Sequence, residues 1–140
     1  WSSDVCSSDL IYRLRLTFDD IGNVPVANPS DINEWNNFFD LTAQNKSFLR
    51  IDIDGNTVML ATKHTFNIPS GLFTNNSHLI SIQAERCITS AGSSSFRLCT
   101  SLTSVILPAL SVINSRCFSS CTSLTSVSFP LLTTIGDYGF

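Results

Sequence analysis

Phe96, Phe118 and Phe140 stand 22 residues apart, and the residues between them repeat in kind and order. Ser101-Leu102-Thr103-Ser104-Val105 returns as Ser123-Leu124-Thr125-Ser126-Val127, Cys99 as Cys121, Leu110 as Leu132, and Ile113 as Ile135. A fixed period of about 20–29 residues marks a solenoid, in which each unit buries its apolar face only against a neighbour. The register runs backwards with one added residue: Phe73 precedes Phe96, and Leu79 precedes Leu102, by 23. Ile68 then matches the Ile113 position, and Gly71-Leu72-Phe73 closes its rung. The array therefore holds a partial rung from residue 57 to 76, two full rungs, and a last one that stops at Phe140.

Within a rung, Val105 and Leu107 alternate with Ser104 and Ile106, and Val127 and Phe129 with Ser126 and Ser128. Period-two alternation predicts a short strand with one face buried. Pro108 and Pro130 end it, because proline has no amide hydrogen for a further ladder bond. Leu110, Ile113 and Phe118 then point inward from the opposite wall. Gly92 and Gly136 share a column with Asn114, residue types that suit a left-handed corner.

Leu102-x-x-Val105-x-Leu107 fits the leucine-rich pattern, and it continues through Pro108, Leu110, Ile113, Cys117, Phe118, Cys121 and Leu124. This continuation, with Ile135-Gly136-Asp137-Tyr138-Gly139-Phe140, resembles the BspA-like leucine-rich repeats over roughly residues 57–140. The resemblance implies a β-rich α/β solenoid of short stacked parallel strands. Commoner leucine-rich repeats place Asn or Cys where Leu110 and Leu132 sit, so neither an asparagine ladder nor a helical convex side is expected. The resemblance also implies a surface or secreted protein used in adhesion or protein binding, or a structural part of a phage or viral particle. Repeat architecture alone carries no function.

Trp1 to Leu10, WSSDVCSSDL, reads as the in-frame translation of a DNA-sequencing adapter and is set apart from fold reasoning. Without it, 9 acidic residues face 8 basic ones, and the formal charge changes from −3 to −1. The last rung stops before its next cysteine column. Both ends are expected to be breaks in a longer reading frame.

Residues 11–56 are expected to form an amino-terminal cap that shields the open apolar end of the array. The alternative is a small separate domain, for which so short a stretch gives little core. Tyr12, Leu14, Leu16 and Phe18 alternate with Arg13, Arg15 and Thr17, which predicts a half-buried strand. Asp31-Ile32-Asn33-Glu34 has the form of a capping box with Glu34 reaching back. Ile32, Trp35 and Phe39 follow on one helical face, with the helix ending near Leu41. Asp54-Gly55-Asn56 forms a hairpin turn between two apolar runs, residues 48–53 and 57–60.

Chemistry-bearing motifs fare poorly. Asp52-x-Asp54-Gly55-Asn56 has a calcium-loop flavour, but Thr57 and Lys63 stand where Gly and Glu are needed. His64 and His78 are isolated, no nucleophile elbow accompanies the many serines, and no Gly-rich loop opens a helix for phosphate. No catalytic residue, cofactor site or metal site is assigned. Near-neutral charge without a basic stripe argues against nucleic acid as a partner, and no membrane-spanning run occurs. Cys99 and Cys121 share a column, so stacking sets their backbones about 4.7–4.9 Å apart, within disulfide reach. Parallel in-register packing favours a column of buried thiols instead. Cys87 shares the Leu110 column, and Cys117 that of Ser95 and Gly139. Asn45-Lys46-Ser47 and Asn75-Asn76-Ser77 are sequons, meaningful in a secreted eukaryotic chain.

From Ser77 onward roughly a third of residues are Ser or Thr, and only 14% of the chain is charged against a usual value of about 25%. The outward strand positions Ser81, Gln83, Ser104, Ile106, Ser126 and Ser128 would form a neutral, hydroxyl-rich strip. That strip either keeps the sheet face soluble or serves as a platform for a protein or glycan ligand. The expected function is noncatalytic recognition at a cell surface.

Overall fold

A computed structural model describes residues 10–140; the decapeptide read as adapter-derived lies outside the described residues except for Leu10. Two sheets and a ladder of turns form three walls around one core. The first wall is a six-stranded sheet of β1 (Tyr12–Phe18), β2 (Phe48–Asp54), β3 (Thr57–Thr62), β5 (Leu79–Ala84), β7 (Ser104–Ile106) and β9 (Ser126–Ser128). Its order is β2-β3-β1-β5-β7-β9. β5, β7 and β9 are parallel and in register, with Ser81, Ser104 and Ser126 side by side and Gln83, Ile106 and Ser128 likewise. The solenoid predicted from the period is therefore present.

The opposite wall is a second parallel sheet of β4 (Phe66–Ile68), β6 (Ile88–Ala91), β8 (Val112–Ile113) and β10 (Thr134–Ile135), in spatial order β10-β8-β6-β4. β-Branched residues fill its two-residue strands, and these fit a pleated, half-buried surface.

The third wall joins the two sheets without regular secondary structure. Alternate amides run along the stack: Gly71, Phe73 and Asn75 donate to Ser93, Ser95 and Arg97 of the next rung. Ser94, Phe96 and Leu98 do the same to Ser115, Cys117 and Ser119. The intervening amides close three-residue turns within their own rung, as Cys117 does to Asn114 and Ser119 to Arg116. This alternation needs left-handed backbone twice per rung, at Gly71, Ser94, Arg116 and Tyr138 in one column and Asn75, Leu98 and Ser120 in another. Gly92 and Gly136, expected at left-handed corners, are not there. A Cβ on Gly92 would sit 2.6 Å from the Ser70 amide nitrogen, and one on Gly136 2.7 Å from that of Ser115. Close approach of the preceding rung is the reason these two positions are glycine.

Leu102, Val105, Leu107, Leu110 and Ile113 are fully excluded from solvent, and Phe118 nearly so. Phe73, Phe96, Phe118 and Phe140 stack nearly parallel, with ring centroids 5.3, 5.0 and 5.4 Å apart in turn. Val127, Ile135 and Phe140 of the last rung follow the inward columns but are half exposed.

At the other end, α1 (Ile32–Phe38) lays Trp35 and Phe39 into the core. Phe38 and Phe39 meet Phe73 edge-on at 5.3 and 6.1 Å and so cover the first ring of the stack. Asp31 caps the helix by accepting from the Asn33 amide. Glu34 does not reach back to Asp31 as a capping box requires; its carboxylate accepts from the Ala27 and Asn28 amides of the preceding loop. The helix also ends before Leu41, because Asp40 turns left-handed after it.

β1 is more than a lid: it pairs antiparallel with β3 on one side and with β5 of the first rung on the other. The hairpin of β2 and β3 turns at Asp54-Gly55-Asn56 as expected, with Gly55 left-handed. β3 lies in the antiparallel part of the sheet, and parallel stacking begins with β4.

Candidate functional site

Hydroxyls are the commonest side-chain polar groups of the array, and two sets of them stand out. At rung corners they stitch coils together by donating to carbonyls of the preceding rung. Thr103 reaches Ile80 at 3.1 Å, Ser111 reaches Thr89 at 3.2 Å, Ser123 reaches Thr100 at 2.6 Å and Thr133 reaches Ser111 at 3.1 Å. The Asn114 side-chain amide does the same to Ala91, and the Cys99 and Cys121 thiols to Phe73 and Phe96. Much of the Ser/Thr excess thus has a structural use that composition does not reveal.

The second set lies on the outward face of the six-stranded sheet. Ser81 and Ser104 are partly exposed, while Gln83, Ser126 and Ser128 are open to solvent. Ile106 stands between Gln83 and Ser128 in register, also partly exposed. All six residues of the predicted strip share one surface. The side-chain polar groups of Ser81, Gln83, Ser104, Ser126 and Ser128 have no protein partner among the described residues.

The same rows continue beyond β5, which the repeat pattern gave no means of seeing. Ser81 faces Thr17, which faces Thr57, which faces Asp54; Gln83 faces Arg15, then Met59, then Asp52. The Thr17 and Thr57 hydroxyls are 3.1 Å apart. Arg13 takes Glu85 of the first rung in a two-pronged grip, Nε to Oε1 at 3.2 Å and Nη2 to Oε2 at 2.9 Å, while its backbone amide also donates to Oε1. Hydrogen bonding from Arg13 holds the Glu85 carboxyl below its ordinary pKa, against the opposing effect of partial burial. A cavity of about 210 Å³ opens here, lined by Arg13, Arg15, Met59, Gln83 and Glu85 together with Leu14 and Ala84. The neutral strip therefore runs into a charged, cupped surface built by the amino-terminal strands. Alternation of Arg13, Arg15 and Thr17 was its only signal.

The remaining candidates resolve into structure. Cys87, Cys99, Cys117 and Cys121 are free thiols. Burial pushes Cys87 and Cys99 up to about 12 and Cys117 to about 11, so none is primed as a nucleophile. Ser95 Oγ and Cys117 Sγ touch at 3.1 Å, which places them in one column as predicted. His78 Nδ1 contacts Asp19 at 2.9 Å on an exposed loop, and that hydrogen bond lowers the Asp19 carboxyl. Asn56 of the calcium-like segment binds the Asp19 carbonyl and the Ile21 amide, as turn residues do. Among the described residues no group of three or more His, Cys, Asp or Glu is placed to hold a metal, and no helix is long and apolar enough to cross a membrane.

A family model for the BspA type leucine-rich repeat region matches residues 52–140 in six copies. Neither the curated proteins nor the solved structures compared with this sequence gave a match. The family match spans well over half of the sequence and takes in all the stacked coils and their stitched corners, together with the end of β2 and the whole of β3 ahead of them. The chain belongs to the BspA-type leucine-rich-repeat family.

Proposed function

We infer that this chain is a noncatalytic recognition module, contacting a protein or glycan at a cell surface through the outward face of its six-stranded sheet. Proteins of this repeat family serve as binding modules and are commonly surface or secreted. The observation that carries the reading is the in-register row of Ser81, Ser104 and Ser126, with Ser128 beside it, on one open sheet face where no neighbouring coil takes up their hydroxyls. Side chains held in register at about 4.8 Å spacing with free hydrogen-bonding capacity suit an extended ligand lying across the strands.

The intact chain is to be screened on glycan and protein arrays alongside a Ser104→Arg variant, which places a long cation in the middle of the strip. Binding by the parent and its loss in the variant are expected. Binding that survives the substitution unchanged moves the contact off this face. Silence on both arrays leaves the spacer role of a phage or viral particle component.

A further inference from the structure

We propose that the cavity over β1, β3 and β5 takes the carboxylate of an acidic peptide side chain, with Arg15 as its anchor. This deepens the sheet-face reading and rests on it. Charge on this part of the sheet is arranged so that one cation is left over. Arg13 is committed to Glu85 at 2.9 Å and Arg50 lies 3.5 Å from Asp52, while Arg15 is exposed and has no partner among the described residues.

Arg15 stands directly across from Gln83 on β5 and from Met59 on β3. A guanidinium offers two parallel N–H donors to a carboxylate, and the adjacent Gln83 amide can supply a third. Met59 gives the cavity a soft apolar side, which suits the methylene stem of a glutamate. Glu85 borders the same cavity, but its charge is absorbed by three hydrogen bonds from Arg13. The cavity volume of about 210 Å³ accommodates a single side chain.

A peptide is favoured over an acidic sugar because the outward rows carry no aromatic ring. From β2 to β9 they read Asp54, Thr57, Thr17, Ser81, Ser104, Ser126 and Asp52, Met59, Arg15, Gln83, Ile106, Ser128. No flat platform is offered to the face of a pyranose. The free hydroxyls and the Gln83 amide instead suit the backbone of an extended segment leading away from the anchored residue.

The test is an NMR titration of the isotope-labelled intact chain with the blocked tripeptides Ac-Val-Glu-Val-NH2 and Ac-Val-Gln-Val-NH2, with glucuronic acid as a third arm. The glutamate peptide is expected to shift the Arg15, Met59 and Gln83 amides, the glutamine peptide to bind about tenfold more weakly, and Arg15→Gln to erase that difference. Because Arg15 is exposed, the variant is expected to keep the parent spectrum elsewhere. Gln83→Ala supplies a second variant, expected to weaken the glutamate peptide without abolishing its advantage.

Equal response to both peptides, or a glutamate preference that survives Arg15→Gln, overturns the proposal. Shifts at these amides with glucuronic acid and not with peptide overturn it in favour of a glycan. Shifts confined to Ser104, Ile106, Ser126 and Ser128 overturn the cavity while leaving the sheet-face reading intact. Shifts absent from the whole sheet overturn the cavity proposal, while the sheet-face reading stands or falls on the arrays and Ser104→Arg.

Discussion

The phenylalanine column shows what a single side chain does in a stacked fold. Phe118 lies between Phe96 at 5.0 Å and Phe140 at 5.4 Å, so its ring supports a neighbour on each side. Phe118→Ala is expected to cost about 3–5 kcal/mol by opening a cavity in the stack, read from chemical denaturation midpoints. A loss below roughly 1 kcal/mol contradicts that placement. The inward residues were legible because the period repeats their chemistry. The left-handed positions were not, since one column holds Gly71, Ser94, Arg116 and Tyr138 and the other Asn75, Leu98 and Ser120. Residue type points to Gly92 and Gly136 instead, which are glycine for a different reason: the preceding coil passes too close for a Cβ.

At the scale of elements, the seam between β1 and β5 joins an antiparallel meander to a parallel array. Alternation in residues 12–18 identifies β1 as a half-buried strand, but a strand has two edges and its sequence does not name the partners. The 23-residue step clarifies the seam. From Gln83 to Ser90 the first rung takes one residue more than the next does from Ile106 to Val112, although both ends pair in register. The longer corner carries Glu85, the residue that Arg13 grips. An Arg13→Ala and Glu85→Ala double-mutant cycle should give a coupling of about 0.5–1 kcal/mol, as expected of a partly exposed pair whose desolvation and screening offset much of its attraction. Coupling indistinguishable from zero would make the pair incidental to the seam.

For the whole molecule, the hidden thiols tie stability to alkalinity. Cys87 and Cys99 are pushed up to about 12 and Cys117 to about 11, whereas an unfolded cysteine titrates near 8.5. Below that value thiols are protonated in both states and their contribution is fully present. Above it the unfolded chain loses its protons first, so stability falls progressively as pH rises towards 11–12. Urea midpoints measured at pH 8 and 10.5 should decline, and Cys99 should resist thiol reagents until the chain unfolds. A midpoint that holds or rises at the higher pH would contradict this linkage. The solenoid and its core columns were readable because like residues must touch like residues. The cupped surface at Arg15 was not, because it arises where a nonrepeating strand meets a repeating one. The turn wall carries a last implication: backbone torsion and axial amide bonds set its pitch, and its left-handed column already accommodates glycine, serine, arginine and tyrosine. Decoration along that ridge is uncoupled from the spacing of the coils, which gives the molecule a second exterior on which chemical character can change while the scaffold stays the same.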